Sequence, residues 1–65
     1  MKKYPKDFEV DVTRVGYQDA EDWYNRTQKA EIIAYVERCG FDLTEQDGTL
    51  VENWADVSMD VYMND

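Results

Sequence analysis

The stretch Ala55-Asp56-Val57-Ser58-Met59-Asp60-Val61-Tyr62-Met63 alternates without interruption. Ala55, Val57, Met59, Val61 and Met63 fall on one parity, and Asp56, Ser58, Asp60 and Tyr62 on the other. A period of two marks a strand with one face buried, and β-branched valines suit a pleated surface. A helical register competes, since Leu50, Trp54, Val57 and Val61 also recur at helical spacing. The clean alternation favours the strand, with its apolar parity inward and its acids outward.

Upstream, Glu45-Gln46-Asp47-Gly48 reads as a turn, because Asp-Gly is a strong hairpin signal. It joins strands over residues 41–44 and 49–63. Residues 19–39 form a helical region. Ala30, Ile33, Ala34 and Glu37 stand at helical spacing with Ile32, Val36 and Cys39 beside them, and Thr27 is an N-cap candidate. Gly40 occupies the C′ position of a Schellman end, with Phe41 set to fold back on Val36. Asp19 is an earlier N-cap candidate, so one helix over 19–39 and a short turn followed by a helix over 27–39 both stay open. Residues 7–17 alternate again, Phe8, Val10 and Val12 against Asp7, Glu9, Asp11 and Thr13. The parity changes at Val15 and Tyr17, which marks a bulge or a strand end near Thr13-Arg14, with Gly16 consistent with both. Residues 1–6 are an entry segment containing Pro5. The expected fold is α+β, a single β-α-β-β domain over residues 1–65. One helix packs on a three-stranded antiparallel sheet.

At 65 residues the chain buries only about 60% of its unfolded surface, so stability is small without extra help. A lone cysteine forms no internal disulfide, and with no signal-peptide pattern it leads us to expect a reducing, cytoplasmic setting. No apolar run approaches the roughly 20 residues of a membrane helix. High charge and low hydropathy are a signature of disorder, but two Trp, five Tyr and two Phe with periodic aliphatics supply a core. The net charge of −8 argues against direct binding to nucleic acid or to an anionic membrane.

The sequence offers little for catalysis. Histidine is absent, which removes the commonest general base and metal ligand. Cys39 has no His to activate it and reads as a buried structural thiol. Ser58 lacks a Gly-x-Ser-x-Gly context, and three scattered glycines make no phosphate loop. Residues 43–54 set Gly48 at the sixth place of a calcium loop, but Leu43 and Trp54 fall where that loop needs Asp and Glu. No catalytic residue, cofactor or metal is expected.

What remains is the acid distribution. From Cys39 to Asp65 there are seven acids and no base, and three of the seven bases (Lys2, Lys3, Lys6) lie in the first six positions. On the expected first strand Asp7, Glu9 and Asp11 share a face at about 6.8 Å intervals. Asp56 and Asp60 join that face from the last strand together with Tyr62, and Asp42, Glu45 and Asp47 continue it along the hairpin. Such rows resemble the charge layout of a phosphodiester backbone, and a basic groove built for nucleic acid accepts them. Tyr24, Tyr35, Trp54 and Tyr62 are candidate aromatic anchors. The competing account is a merely solubilising surface.

In size, acidity and lack of catalytic residues the chain resembles the small inhibitors that phages and mobile elements use against host defence, of the anti-CRISPR and anti-restriction type. The resemblance lies in charge and length, without an alignable motif. It implies a stoichiometric inhibitor, acting in a bacterial host, that blocks the basic nucleic-acid-binding surface of a CRISPR effector complex or restriction enzyme. The alternative is an acidic adaptor or regulatory module that docks without mimicry. A monomer or a homodimer paired through the first or last strand is expected.

Overall fold

A computed structural model describes residues 3–65. Three helices form among them: α1 (Tyr17–Arg26), α2 (Lys29–Arg38) and α3 (Trp54–Asn64). No strand or sheet forms among the described residues, and Thr44 and Leu50 make an isolated antiparallel bridge. The expected α+β fold, with strands over 7–17, 41–44 and 49–63, is therefore corrected to a helical one. Pairing of two copies through strand edges loses its basis with it. The first two positions of the entry segment, Met1 and Lys2, lie outside the described residues.

The alternating stretch 55–63 lies in α3, and burial explains the mismatch. Val57, Ser58, Met59 and Val61 are buried, and no residue from 54 to 63 is fully exposed. α1, α2 and the chain before α1 all lie against this helix. A helix covered on all sides shows no amphipathic stripe, so its sequence can take any parity. The helical register Trp54, Val57, Val61 is the one that holds. Ser58, the one buried polar residue among the described residues, donates its hydroxyl to the Trp54 carbonyl at 2.7 Å and so stays satisfied within the helix.

The helical region is two helices. Thr27 and Gln28 are extended, with ψ of 140° and 147°, and α2 starts after Gln28 rather than after Thr27. α1 begins at Tyr17, so Asp19 falls in its first turn instead of capping it. The end of α2 is the expected Schellman motif: Gly40 has φ +94°, its N–H bonds the Glu37 carbonyl at 3.0 Å, and the Phe41 N–H bonds the Val36 carbonyl at 3.2 Å.

The Asp47-Gly48 turn also forms. The Gly48 N–H bonds the Glu45 carbonyl at 3.0 Å, the Glu45 N–H bonds the Thr49 carbonyl at 2.7 Å, and Gly48 has φ +88°. The Val51 N–H reaches the Leu43 carbonyl at 2.8 Å, and the pairing goes no further into strands. This hairpin loop lowers Leu43, fully buried, into a cluster with Val36, Val57 and Val61.

Residues 3–16 run along α3 as a strap of turns. The Phe8 N–H bonds the Pro5 carbonyl at 3.1 Å and the Arg14 N–H bonds the Asp11 carbonyl at 3.2 Å. Val12 and Val15, expected inward and at a parity change, are 62% and 96% exposed. No neighbouring strand supplies a ladder, so the backbone satisfies itself in local turns. No helix among the described residues is long and apolar enough to cross a membrane.

Candidate functional site

Between the strap and the start of α3 lies an open groove of about 310 Å³, lined by Lys6, Asp7, Phe8, Glu9, Glu52, Asn53 and Asp56. Four carboxylates and one ammonium share it. Asp7 and Glu9 come from the strap, Glu52 from the turn before α3, and Asp56 from the first turn of α3, where a negative charge suits the helix dipole. Asn53 sets the spacing. Its side-chain amide donates to the Pro5 carbonyl at 3.1 Å and the Phe8 carbonyl at 3.3 Å, which fixes the strap beside the helix start. Asp56 also faces α1, where Tyr17 donates to Glu21 at 3.0 Å; the Glu21 bond, burial and the Asp56 charge raise the Tyr17 hydroxyl above its ordinary pKa.

A second concavity continues the first, lined by Lys3, Tyr4, Lys6, Glu45, Val51, Glu52 and Asn53. Glu45 thus extends the acidic line toward the hairpin. There Asp42 meets Lys3 at 3.6 Å, and the same ammonium donates to the Thr44 carbonyl at 3.2 Å.

Of the nine acids and aromatics expected on one face, the groove gathers Asp7, Glu9 and Asp56, with Glu45 alongside. The rest are elsewhere. Asp60 faces inward with its side chain 15% exposed, accepting from the Tyr4 hydroxyl at 2.6 Å, from Arg14 at 3.0 Å and from Asn64 at 3.2 Å. Burial, then this bond to Asp60, raises the Tyr4 hydroxyl pKa. Tyr62 stacks on Trp23 with centroids 4.5 Å apart, and Tyr35 closes on both rings. Tyr35 donates to Asp65; burial, then that bond, raises its pKa. Tyr24 packs against Trp54, over which Lys29 lies at 5.4 Å. These four aromatics are half-buried and bound up in helix packing.

Asp11, Asp42 and Asp47 share one local device. Each accepts both the N–H and the hydroxyl of the threonine two residues on: Thr13 at 3.0 and 2.6 Å, Thr44 at 2.9 and 2.6 Å, Thr49 at 3.1 and 2.7 Å. The threonine hydroxyl, then its amide, holds each carboxyl below its ordinary value. These acids shape turns.

Sequence reading missed Glu52, Asn53 and Lys6 as groove residues. For Glu52 the signal was the spacing Glu52, Asp56, Asp60, Asn64, every fourth residue, which carries one stripe of α3 back into the turn before it; Asn53 and Lys6 had no such signal. That stripe faces the strap.

Among the described residues no three His, Cys, Asp or Glu side chains gather in a way that could hold a metal ion. Cys39 is half-buried rather than fully enclosed, beside Tyr4, Phe41 and Val61 in a shallow cavity. Comparison with protein-family models, with curated proteins and with solved structures finds no match to this chain.

Proposed function

We propose that this protein is a non-catalytic, stoichiometric inhibitor that sets its acidic groove against the basic nucleic-acid-binding surface of a protein or complex, such as a CRISPR effector or a restriction enzyme. One observation carries the reading. Carboxylates from two separate segments, Asp7 and Glu9 from the strap and Glu52 and Asp56 from around the start of α3, converge on a single open groove. The row of strand carboxylates is gone, so likeness to a phosphodiester repeat no longer supports the idea. A cluster at an open surface supports it instead, because arginines and lysines arranged for phosphates accept carboxylates with the same charge-assisted hydrogen bonds.

The test is a pull-down of tagged protein from a bacterial lysate at low salt, eluted in salt steps. A parallel bait carries Asp7→Asn, Glu9→Gln, Glu52→Gln and Asp56→Asn. The reading predicts a nucleic-acid-binding protein retained by the first bait, released by moderate salt, and lost with the second. Equal retention by both baits contradicts it.

A second reading, an adaptor, is favoured by Val15, 96% exposed on the strap, with Val12 nearby. An apolar anchor of this kind resists salt. A partner that survives high salt and is lost on Val15→Ser belongs to the adaptor.

A further inference from the structure

We infer that residues 3–16 form a separable strap whose closure assembles the acidic groove, with Asp60 as its clasp and carboxylate repulsion as the force that opens it. The idea rests on the groove being the working surface, but its test involves no partner and stands or falls separately.

The attachment of the strap is one of side chains alone. Among the described residues, the backbone hydrogen bonds of residues 3–16 run within the strap or into the first turn of α1, at Phe8 to Pro5, Arg14 to Asp11, Tyr17 to Arg14 and Ala20 to Gly16. None joins the strap to α2, α3 or the hairpin. Lys3 ties the start of the strap to Asp42 and the Thr44 carbonyl, and the rest of the fastening is concentrated at two points. Asn53 holds the Pro5 and Phe8 carbonyls. Asp60 holds Tyr4 with one oxygen and Arg14 with the other, so residues ten apart in the chain meet on one carboxylate. Tyr4 adds ring contacts to Phe8 at 4.8 Å and Phe41 at 5.3 Å. A segment without shared backbone ladders can open without unfolding what it covers.

The opposing force sits in the same place. Asp7 and Glu9 on the strap face Glu52 and Asp56 across the groove, where Lys6 is the one cation against four carboxylates, and the ion pairs among the described residues are Lys3 with Asp42 and Arg14 with Asp60. Like charges across that boundary push the strap outward. A cationic surface bound in the groove removes the repulsion, so binding and closure favour one another. Asp60 is a positioning residue, holding the strap that carries half the groove.

Amide hydrogen exchange tests this on the whole protein, comparing residues 8 and 14 with the α3 core amide of Val61. Neutralising the far side of the groove with Glu52→Gln and Asp56→Asn, which keeps the Lys3–Asp42 and Arg14–Asp60 pairs, should slow exchange at 8 and 14 and leave Val61 unchanged. The double variant Tyr4→Phe with Arg14→Gln changes no residue of α3, frees Asp60 from the strap, and should speed exchange at 8 and 14 by about tenfold or more, well beyond any change at Val61. Adding Glu52→Gln and Asp56→Asn to that variant should restore much of the protection. Two results overturn the inference: residues 8, 14 and 61 accelerating together, which makes the strap part of one cooperative unit, or strap exchange that ignores removal of the charges.

Discussion

Thr13, Thr44 and Thr49 each bind the aspartate two positions before them, and this small device decides how three of the fifteen acids behave. A carboxylate whose pKa is lowered by folding stabilises the native state above its unfolded pKa, and the benefit fades as pH falls through the folded value. Asp11, Asp42 and Asp47 are all shifted in that direction, from an ordinary value of 3.8. Their contribution is therefore complete above about pH 5 and is lost in the acid range below the ordinary carboxylate value. Replacing Thr44 by Val deletes the hydroxyl and keeps the shape, so the Asp42 titration should move up toward the ordinary range, as followed by carboxyl NMR. The triplets Asp-Val-Thr, Asp-Leu-Thr and Asp-Gly-Thr stand openly in the sequence, and they specify turns through hydrogen bonds within three residues. Read as charge alone, they pass for binding acids. Asp60 is the opposite case. Its role depends on Tyr4 and Arg14, 56 and 46 residues away, and no local pattern announces such partners.

Among the elements, those with a backbone signature were legible and those defined by burial were not. Gly40 and Gly48 mark the α2 terminus and the hairpin turn because each must adopt a positive φ, a demand written into single residues. Gly40→Ala tests this cleanly. A Cβ at Gly40 would meet no atom within 4 Å, so the cost is backbone conformation alone. We expect a loss of about 1 kcal/mol, near the energy of a left-handed non-glycine residue, measured by urea unfolding. Residues 55–63 carry no such signature. A strand with one buried face produces alternation by necessity, but a helix packed on every side permits it by accident, because each parity has something to touch. Asp56 and Asp60 made the alternation look like exposure when one lines a groove and the other accepts hydrogen bonds beneath the strap. The first strand failed for a related reason. Its pattern assumed a neighbour to pair with, and α3 offers none.

At the scale of the whole molecule, the sequence separates bases from acids and the fold partly reunites them. Lys3 returns to Asp42, and Arg14 lies over Asp60 and Asn64 at the end of α3, a helix with no basic residue in its own last turn. Arg14 thus supplies from outside the positive charge that the helix C-terminus favours. The Cα radius of gyration is 11.1 Å, against about 11 Å expected for a compact chain of this length, so the net charge of −8 does not expand it. Of the seven acids from Cys39 to Asp65, Glu52 and Asp56 line the groove, where Asp7 and Glu9 join them from the strap. The acid count was legible from the sequence. That two distant segments meet there was not, since the meeting depends on Asn53 and Asp60 holding the strap.

The central claim is that this groove occupies a site otherwise taken by nucleic acid. The most direct measurement is displacement: the DNA-binding proteins of a bacterial lysate, loaded with labelled DNA, are titrated with this protein at low salt and bound label is followed. The account predicts that label leaves one protein or complex at stoichiometric addition, and that the four groove substitutions together abolish the effect. Label that stays in place while this protein binds beside it would contradict the account.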